Sequence, residues 1–268
     1  MSYQFAEING VRMHFDVQGD AEQALVLIHA GVANLNIWDE QISAFSPHFK
    51  TLRYDVRGWG ETPDPAGKYT EYDDLSSLLD HLEIKSCAVL GNSNGGRIAI
   101  DFAIAFPHRV SKLIVVATGL GAFDYPNDSF DEEQSKKQAE ALKAGDIELA
   151  AEIEAQMWFD GPNRRADQVE PKLRAKALEM MLHTLKLPEG IGEGSILQPP
   201  AAGRLSEIEA STLVIMGDQD MESLYPVADA LEHEIANAKR VTMPGLAHLP
   251  SLENPELFNQ IVLDFLSE

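Results

Sequence analysis

A single serine stands where an apolar segment gives way to a helical pattern, in the sequence GNSNG of residues 91–95. A serine hydroxyl is a weak nucleophile until a base takes its proton, and that base needs a third group to fix its tautomer. His248 could supply the base, and Asp218 or Asp220 the third group. These residue types predict nucleophilic catalysis by Ser93, whereas the purely structural role of such a serine would be a helix N-cap.

Short apolar segments alternate with helical patterns along most of the chain, and this alternation predicts the elements that position those residues. It predicts an α/β protein with a mostly parallel, doubly wound sheet and helices on both faces. Catalytic groups of such sheets collect at the carboxyl ends of the strands. Ser93, the two aspartates and His248 all follow predicted strands, which read SCAVLGN, STLVIMGDQD and KRVTMPG.

Residues 121–205 interrupt this alternation, because they contain three helical patterns and no predicted buried strand. The helical patterns are separated by glycine and proline, which commonly mark helix ends. The predicted organisation is therefore an α/β core made of residues 1–120 and 206–268, with an all-helical insertion of residues 121–205 over one end of the sheet.

The composition excludes several classes of function. The chain has 21 Lys and Arg against 43 Asp and Glu, a net charge of −22, which disfavours nucleic acid and anionic membranes as partners. It has one cysteine, and its histidines show no metal-ligand spacing, so neither a disulfide nor a metal site is expected. We expect a cytoplasmic protein, since the first residues lack a signal-peptide pattern. We also expect a small-molecule substrate and no cofactor. The sequence leaves the oligomeric state open.

The chain resembles the α/β-hydrolase superfamily over nearly its full length, and the order Ser, Asp, His along the chain agrees with it. The resemblance implies a serine nucleophile at Ser93 and a helical cap formed by the inserted region. It favours Asp220 over Asp218, because Asp220 has the spacing Gly-x-x-Asp of that superfamily. The segments that carry the resemblance are LIHAGVANLNIWDEQ, RYDVRGWGETP, VLGNSNGGRIAIDFA, LVIMGDQD and PGLAHLPSLENPE.

The resemblance also implies an oxyanion hole made of two backbone N–H groups. One belongs to Asn94, directly after the nucleophile, and the other to the loop that follows the third strand. The usual His-Gly of that loop is His29-Ala30 here, so the second donor is placed at Gly31 with Val32 as the alternative. Two such donors stabilise a developing oxyanion by several kcal/mol.

The expected function is hydrolysis of a small carboxylic ester or lactone through an acyl-enzyme. A serine at position 93 argues against the haloalkane dehalogenase and epoxide hydrolase branches, which use aspartate there. The sequence GNSNGG resembles the nucleophile elbow of carbon–carbon bond hydrolases. The similarity to enol-lactone hydrolases is about as good. Carbon–carbon bond hydrolysis and a non-catalytic ligand-binding or receptor protein are the alternatives. Trp158 and Met181 of the cap are candidates for the substrate pocket.

The net charge should favour neutral substrates over anionic ones. A carboxylate-bearing substrate would need a local cation to offset the repulsion, and the inserted region offers Arg164, Arg165, Lys172 and Arg174 as candidates.

Overall fold

The computed structural model describes residues 3–268, and they confirm the predicted α/β class. An eight-stranded sheet is flanked by helices, and a separate two-stranded sheet joins the core to the segment that follows the cap. The strands are β1 (Gln4–Ile8), β2 (Val11–Gln18), β3 (Ala24–Ile28), β4 (Lys50–Tyr54), β5 (Gly67–Tyr69), β6 (Cys87–Asn92), β7 (Val110–Val116), β8 (Gly192–Gly194), β9 (Ser211–Gly217) and β10 (Ala238–Met243).

The helices alternate with the strands of the core and fill the insertion between β7 and β9. They are α1 (Asp39–Phe45), α2 (Glu71–His81), α3 (Asn94–Ala105), α4 (Ser129–Ala144), α5 (Ile147–Ala155), α6 (Pro171–Leu185), α7 (Tyr225–Glu234), α8 (Pro250–Glu253) and α9 (Pro255–Ser267). None of the helices in residues 3–268 combines the length and the apolar character needed to cross a membrane.

The strand order of the large sheet is β1-β2-β4-β3-β6-β7-β9-β10. Strand β2 runs antiparallel to both of its neighbours, β1 and β4, and all other neighbouring strands of this sheet are parallel. Strands β3 and β6 are buried along their whole length, as expected for strands covered by helices on both faces. The chain passes from β3 outward to β4 and then returns to the other side of β3 as β6. The carboxyl ends of β3 and β6 therefore form the crevice in which such sheets bind ligands.

The cap consists of α4, α5 and α6, with one turn of π-helix, Gln156–Asp160, continuing α5. Helix α4 ends at a left-handed glycine, Gly145, whose φ of 76° suits a residue without a side chain. The π-helical turn ends at Gly161, where an added Cβ would lie 2.1 Å from the carbonyl oxygen of Gln219. Since that contact leaves no room for any side chain, glycine here allows the cap to approach the loop after β9.

A short strand that the sequence did not predict ties the segment after the cap to the core. Residues Gly192–Gly194 of β8 pair in parallel with Gly67–Tyr69 of β5, which directly precedes α2. The amide N–H of Ser195 donates to the Tyr69 carbonyl, 3.0 Å away, and extends the pairing by one residue.

Candidate active site

Ser93 lies on a strained turn between β6 and α3. Its φ of 55° and ψ of −115° place a non-glycine residue in a sparsely populated region, at a typical cost of about 1–3 kcal/mol. Ser93 occupies the N-cap position of α3, but its side chain makes no capping hydrogen bond. The structure therefore leaves the hydroxyl free of the structural role that a helix N-cap would have given it.

Two glycines make this turn possible by letting backbone segments approach one another. A Cβ on Gly91 would lie 2.1 Å from the carbonyl oxygen of Gly95, and one on Gly95 would lie 2.3 Å from the carbonyl oxygen of Ile28. The second contact brings the first turn of α3 against the end of β3. The glycines thus hold the loop after β3 beside the loop after β6.

His248 and Asp220 form a buried pair at the same edge of the sheet. Nδ1 of His248 lies 3.0 Å from both carboxylate oxygens of Asp220, and the two residues are 2% and 1% exposed. Asp218 serves a different purpose: its carboxylate accepts from the backbone N–H of Gly245 at 2.6 Å and stabilises the turn after β10. Of the two aspartates that the sequence left open, Asp220 is the one that contacts the histidine.

Asn92 links the end of β6 to the loop of His248, and the sequence analysis did not identify this role. Its side-chain amide donates to the carbonyl oxygens of Val116, at 3.0 Å, and of His248, at 3.2 Å. The residue is fully buried. Its position directly before Ser93 gave no sign of these long-range contacts, because both acceptors are backbone atoms of distant segments.

Ser93 and His248 open into one cavity of about 430 Å³ between the sheet edge and the cap. Trp158, on the π-helical turn, covers the histidine, with 4.5 Å between the ring centroids. The lining also includes Asn94, Arg97, Gly119, Leu120, Tyr125, Pro126, Asn127, Asp128, Asp131, Glu132, Ser223 and Leu224. Of the two cap residues expected at a pocket, Trp158 lines this cavity. Met181 does not, because α6 points it into the hydrophobic core, where it is fully buried.

Gly31 lies beside Asn94, so the two suggested oxyanion donors are close together. A Cβ built on Gly31 would be 3.6 Å from the Cβ of Asn94. The carbonyl oxygen of Gly31 accepts from the indole N–H of Trp59 at 2.5 Å, which fixes the orientation of the peptide that joins Gly31 to Val32. The Val32 N–H belongs to this peptide and the Gly31 N–H to the one before it, so both candidates for the second donor lie in this loop.

His29 holds the same loop in place. Nε2 of His29 accepts from the backbone N–H of Val56 at 3.0 Å, so the ring proton resides on Nδ1, which contacts the Ala30 carbonyl at 2.8 Å. Complete burial lowers the pKa of His29 and keeps it neutral. Both ring nitrogens are engaged by backbone, so His29 connects the ends of β3 and β4.

Arg97, in the first turns of α3, places its guanidinium in the wall of the cavity. The sequence analysis did not identify this residue. Its Nη2 lies 2.9 Å from Glu71 Oε1, its Nη1 3.2 Å from Asp101 Oδ2, and its Nε 3.0 Å from Asn94 Oδ1. Its spacing of four residues after Ser93 was the available signal, since one helical turn brings it back to the side of the nucleophile.

The cap cations lie elsewhere. Arg164 pairs with Glu253 at 2.7 Å and also donates to cap carbonyls. Arg174 contacts Asp160 at 2.9 Å and Glu152 at 2.6 Å. Arg165 and Lys172 do not line the cavity either. Arg174 therefore holds the cap together, and Arg164 braces it on the loop of His248.

The fold and this arrangement of side chains define a class of protein, and comparison with known proteins agrees. The family model described as "alpha/beta hydrolase fold" matches residues 23–255, and the chain belongs to that family. It is similar to 3-oxoadipate enol-lactonase 2 of Acinetobacter baylyi, with 28% identity over 94% of this chain and 92% of the relative. It is also similar to the 2-hydroxy-6-oxononadienedioate/2-hydroxy-6-oxononatrienedioate hydrolase of Burkholderia vietnamiensis, with 27% identity over 96% of this chain and 91% of the relative.

Solved structures show the same fold along the whole chain. A hydrolase from Pseudomonas aeruginosa superposes with a TM-score of 0.78 and 27% identity, covering 99% of this chain and 98% of its own. At such identities the fold and family are shared, and the substrate has to be inferred from the site.

Proposed function

We propose that this protein is a cofactor-independent serine hydrolase that cleaves a small carboxylic ester or lactone through an acyl-enzyme. One observation carries the proposal. A serine held on a strained turn opens into the same cavity as a histidine whose Nδ1 is engaged by a buried carboxylate. Nucleophile, base and orienting acid are the parts that acyl transfer by serine requires.

In this mechanism the Ser93 hydroxyl attacks the substrate carbonyl while His248 Nε2 takes its proton. Asp220 keeps the other ring proton on Nδ1 and stabilises the imidazolium. Backbone N–H groups of Asn94 and Gly31 donate to the oxyanion. His248 then protonates the leaving group, and water repeats the sequence on the acyl-enzyme to release the acid and restore Ser93.

Trp158 supports this assignment from the cap side. Its indole packs on the His248 ring and adds an apolar surface to the cavity, which suits an uncharged acyl group. The relative named as an enol-lactonase supports a lactone or ester as the substrate class.

A second candidate is hydrolysis of a carbon–carbon bond in a vinylogous diketo acid. It is favoured by the GNSNGG elbow and by the relative named as an oxononadienedioate hydrolase. The same three residues would serve that reaction, so substrate choice separates the two candidates.

The test is turnover of a panel of 4-nitrophenyl esters, simple lactones and a ring-cleavage diketo acid by the parent chain. We expect ester or lactone hydrolysis, with a fluorophosphonate labelling Ser93 stoichiometrically and abolishing activity. Turnover of the diketo acid alone would transfer the assignment to the second candidate. Absence of both turnover and labelling would leave a ligand-binding protein on this fold.

A further inference from the structure

The charges around the candidate active-site cavity are strongly one-sided. Among residues 3–268, Arg97 is the only lysine or arginine in its lining. Three carboxylates line the same cavity, Asp128, Asp131 and Glu132, all at the start of α4. The local balance therefore matches the net charge of −22 for the whole chain rather than opposing it.

Arg97 is already engaged by acceptors of the protein. Each of its three guanidinium nitrogens has a partner, and two of the partners, Glu71 and Asp101, are carboxylates. The side chains of Arg97, Glu71 and Asp101 are only 15%, 13% and 0% exposed, so these ion pairs are shielded from water and from salt. Burial raises the pKa of Asp101, which favours its uncharged form. The single negative charge of Glu71 is enough to neutralise the positive charge of Arg97.

The fold positions both acids. Glu71 is the first residue of α2, separated by one residue from the end of the β5 strand that pairs with β8. Asp101 Oδ2 also accepts from the backbone N–H of Leu197, in the segment that returns from the cap. A substrate carboxylate would therefore have to displace an acid that the fold holds in place.

We propose that Glu71 is a specificity-determining residue: by neutralising Arg97 it denies the cavity a free cation and restricts the site to acyl groups without a carboxylate. The inference rests on the proposed ester or lactone hydrolysis and specifies its substrate class. It also separates this chain from the relatives named for dioate and oxoadipate substrates, which carry carboxylates.

The experiment compares two esters with four acyl carbon atoms each, 4-nitrophenyl butyrate and mono-4-nitrophenyl succinate, which end in a methyl group and a carboxylate. Rates are corrected for spontaneous hydrolysis, which the carboxylate of the succinate accelerates. For the parent chain at low salt we expect kcat/KM for the butyrate to exceed that for the succinate at least tenfold. Glu71→Gln keeps the size and the acceptor oxygen but removes the charge. It should lower the ratio about tenfold, chiefly by raising kcat/KM for the succinate.

Glu140→Gln is the matched control, because it removes the same charge from an exposed glutamate on α4 outside this cavity. It should leave the ratio unchanged. A second variant, Asp131→Asn with Glu132→Gln, removes charge from the cavity mouth at partly or fully exposed positions and should lower the ratio a few-fold. It keeps the test decisive if Glu71→Gln does not fold, which circular dichroism would show.

Two results would overturn the proposal. One is a parent chain that prefers the succinate and loses that preference in Arg97→Gln, which would make Arg97 a carboxylate receptor. The other is a folded Glu71→Gln variant with an unchanged ratio or, where that variant does not fold, an unchanged ratio in the mouth variant. If the parent hydrolyses neither ester, the proposed function fails, and calorimetric binding of phenylacetamide and phenylacetate still tests the charge preference. Tighter phenylacetate binding in Glu71→Gln supports the inference, and unchanged binding overturns it.

Discussion

The two ends of the central sheet each hold a cavity, and the larger one is not the candidate active site. At the amino ends of β3, β4, β6 and β7 lies a cavity of about 640 Å³ lined by Lys50, Cys87 and Lys112, among others. At the carboxyl ends lies the cavity of about 430 Å³ that contains Ser93 and His248. The direction of the parallel strands distinguishes the two cavities, because ligands of such sheets bind in the crevice outside the carboxyl ends of the strands.

The potential nucleophiles at the two ends differ in the same way. Burial raises the pKa of Cys87 to about 12, so its thiol stays protonated and unreactive at neutral pH. Ser93, by contrast, opens into the same cavity as a base that a carboxylate orients. The reactivity of a nucleophile depends on neighbouring groups that activate it. Among residues 3–268, the paired histidine and carboxylate lie at the carboxyl end.

The largest expected effect on kcat separates the serine at one end of β6 from the cysteine at the other, when each is replaced by alanine. Ser93→Ala should lower kcat by about 10⁴-fold or more without loss of stability, because it removes the attacking atom. Cys87→Ala, at the other end of the same strand β6, should leave kcat within a factor of two. Steady-state kinetics on a chromogenic ester measures both. Ester hydrolysis by Ser93→Ala at a tenth of the parent rate would refute the assignment.

The second effect separates the two aspartates after β9. Asp220→Asn should reduce kcat on the order of 10³-fold, because the amide would favour the wrong tautomer of His248. Asp218→Asn weakens a backbone contact to Gly245 and should change kcat less than threefold. If the Asp218 variant proved the slower of the two, the geometry at His248 would not describe the working enzyme.

A third, smaller effect compares buried polar contacts at the two ends. Asn92→Ala removes the donor to the His248 carbonyl, so kcat should fall about tenfold and the free energy of unfolding by about 1–3 kcal/mol. Thr212→Val, at the amino end of β9, removes a hydrogen bond to the Ala210 carbonyl and should lower stability while leaving kcat unchanged. Equal losses of kcat in both variants would show that Asn92 acts only through global stability.

The sequence predicted the class of the fold, which the structure confirms, and it placed the candidate site residues at one sheet edge, because both inferences depend on local patterns. Apolar segments of five to seven residues identify buried strands, and residues directly after them fall at the carboxyl edge. Ser93 and Asp220 each follow such a segment, whereas His248 follows β10, which is mixed in polarity and only partly buried. The choice of Asp220 over Asp218 came from the spacing of a resembling superfamily, and the structure agrees with it through the His248 contact.

What the sequence did not reveal depends on side-chain direction and on long-range contacts. Met181 and Trp158 were equivalent candidates, yet α6 turns Met181 into the core while a π-helical turn places Trp158 over His248. The cation at the cavity was sought in the cap, whereas it is Arg97 on a core helix. Its partner Asp101 lies one turn further along the same helix, at a spacing of four residues, whereas Glu71 comes from α2, so the Arg97–Glu71 pair depends on packing between helices.

The smallest expected effect on kcat concerns the cap above the carboxyl end, where a substitution should change stability alone. Glu154 lies on α5, one turn before Trp158; it is 8% exposed, and its Oε2 has no hydrogen-bond partner. Burial raises the pKa of Glu154 from its usual 4.5 to about 7. A carboxyl with a higher pKa in the folded than in the unfolded chain supports folding fully below pH 4.5, and this support is lost as the pH rises through 7.

Glu154→Gln should therefore remove this pH dependence and raise the free energy of unfolding above pH 7, by on the order of 3 kcal/mol at most. Because Trp158 and the site residues keep their contacts, kcat should not change. Urea unfolding from pH 4.5 to 8 measures the difference between parent and variant, which should be near zero at the acidic limit and largest above pH 7. Glu140→Gln, an exposed glutamate of the same cap, should run parallel to the parent throughout. A constant offset for Glu154→Gln at all pH values would mean that the carboxyl already ionises freely, and the pH dependence of the cap would have to arise from another group.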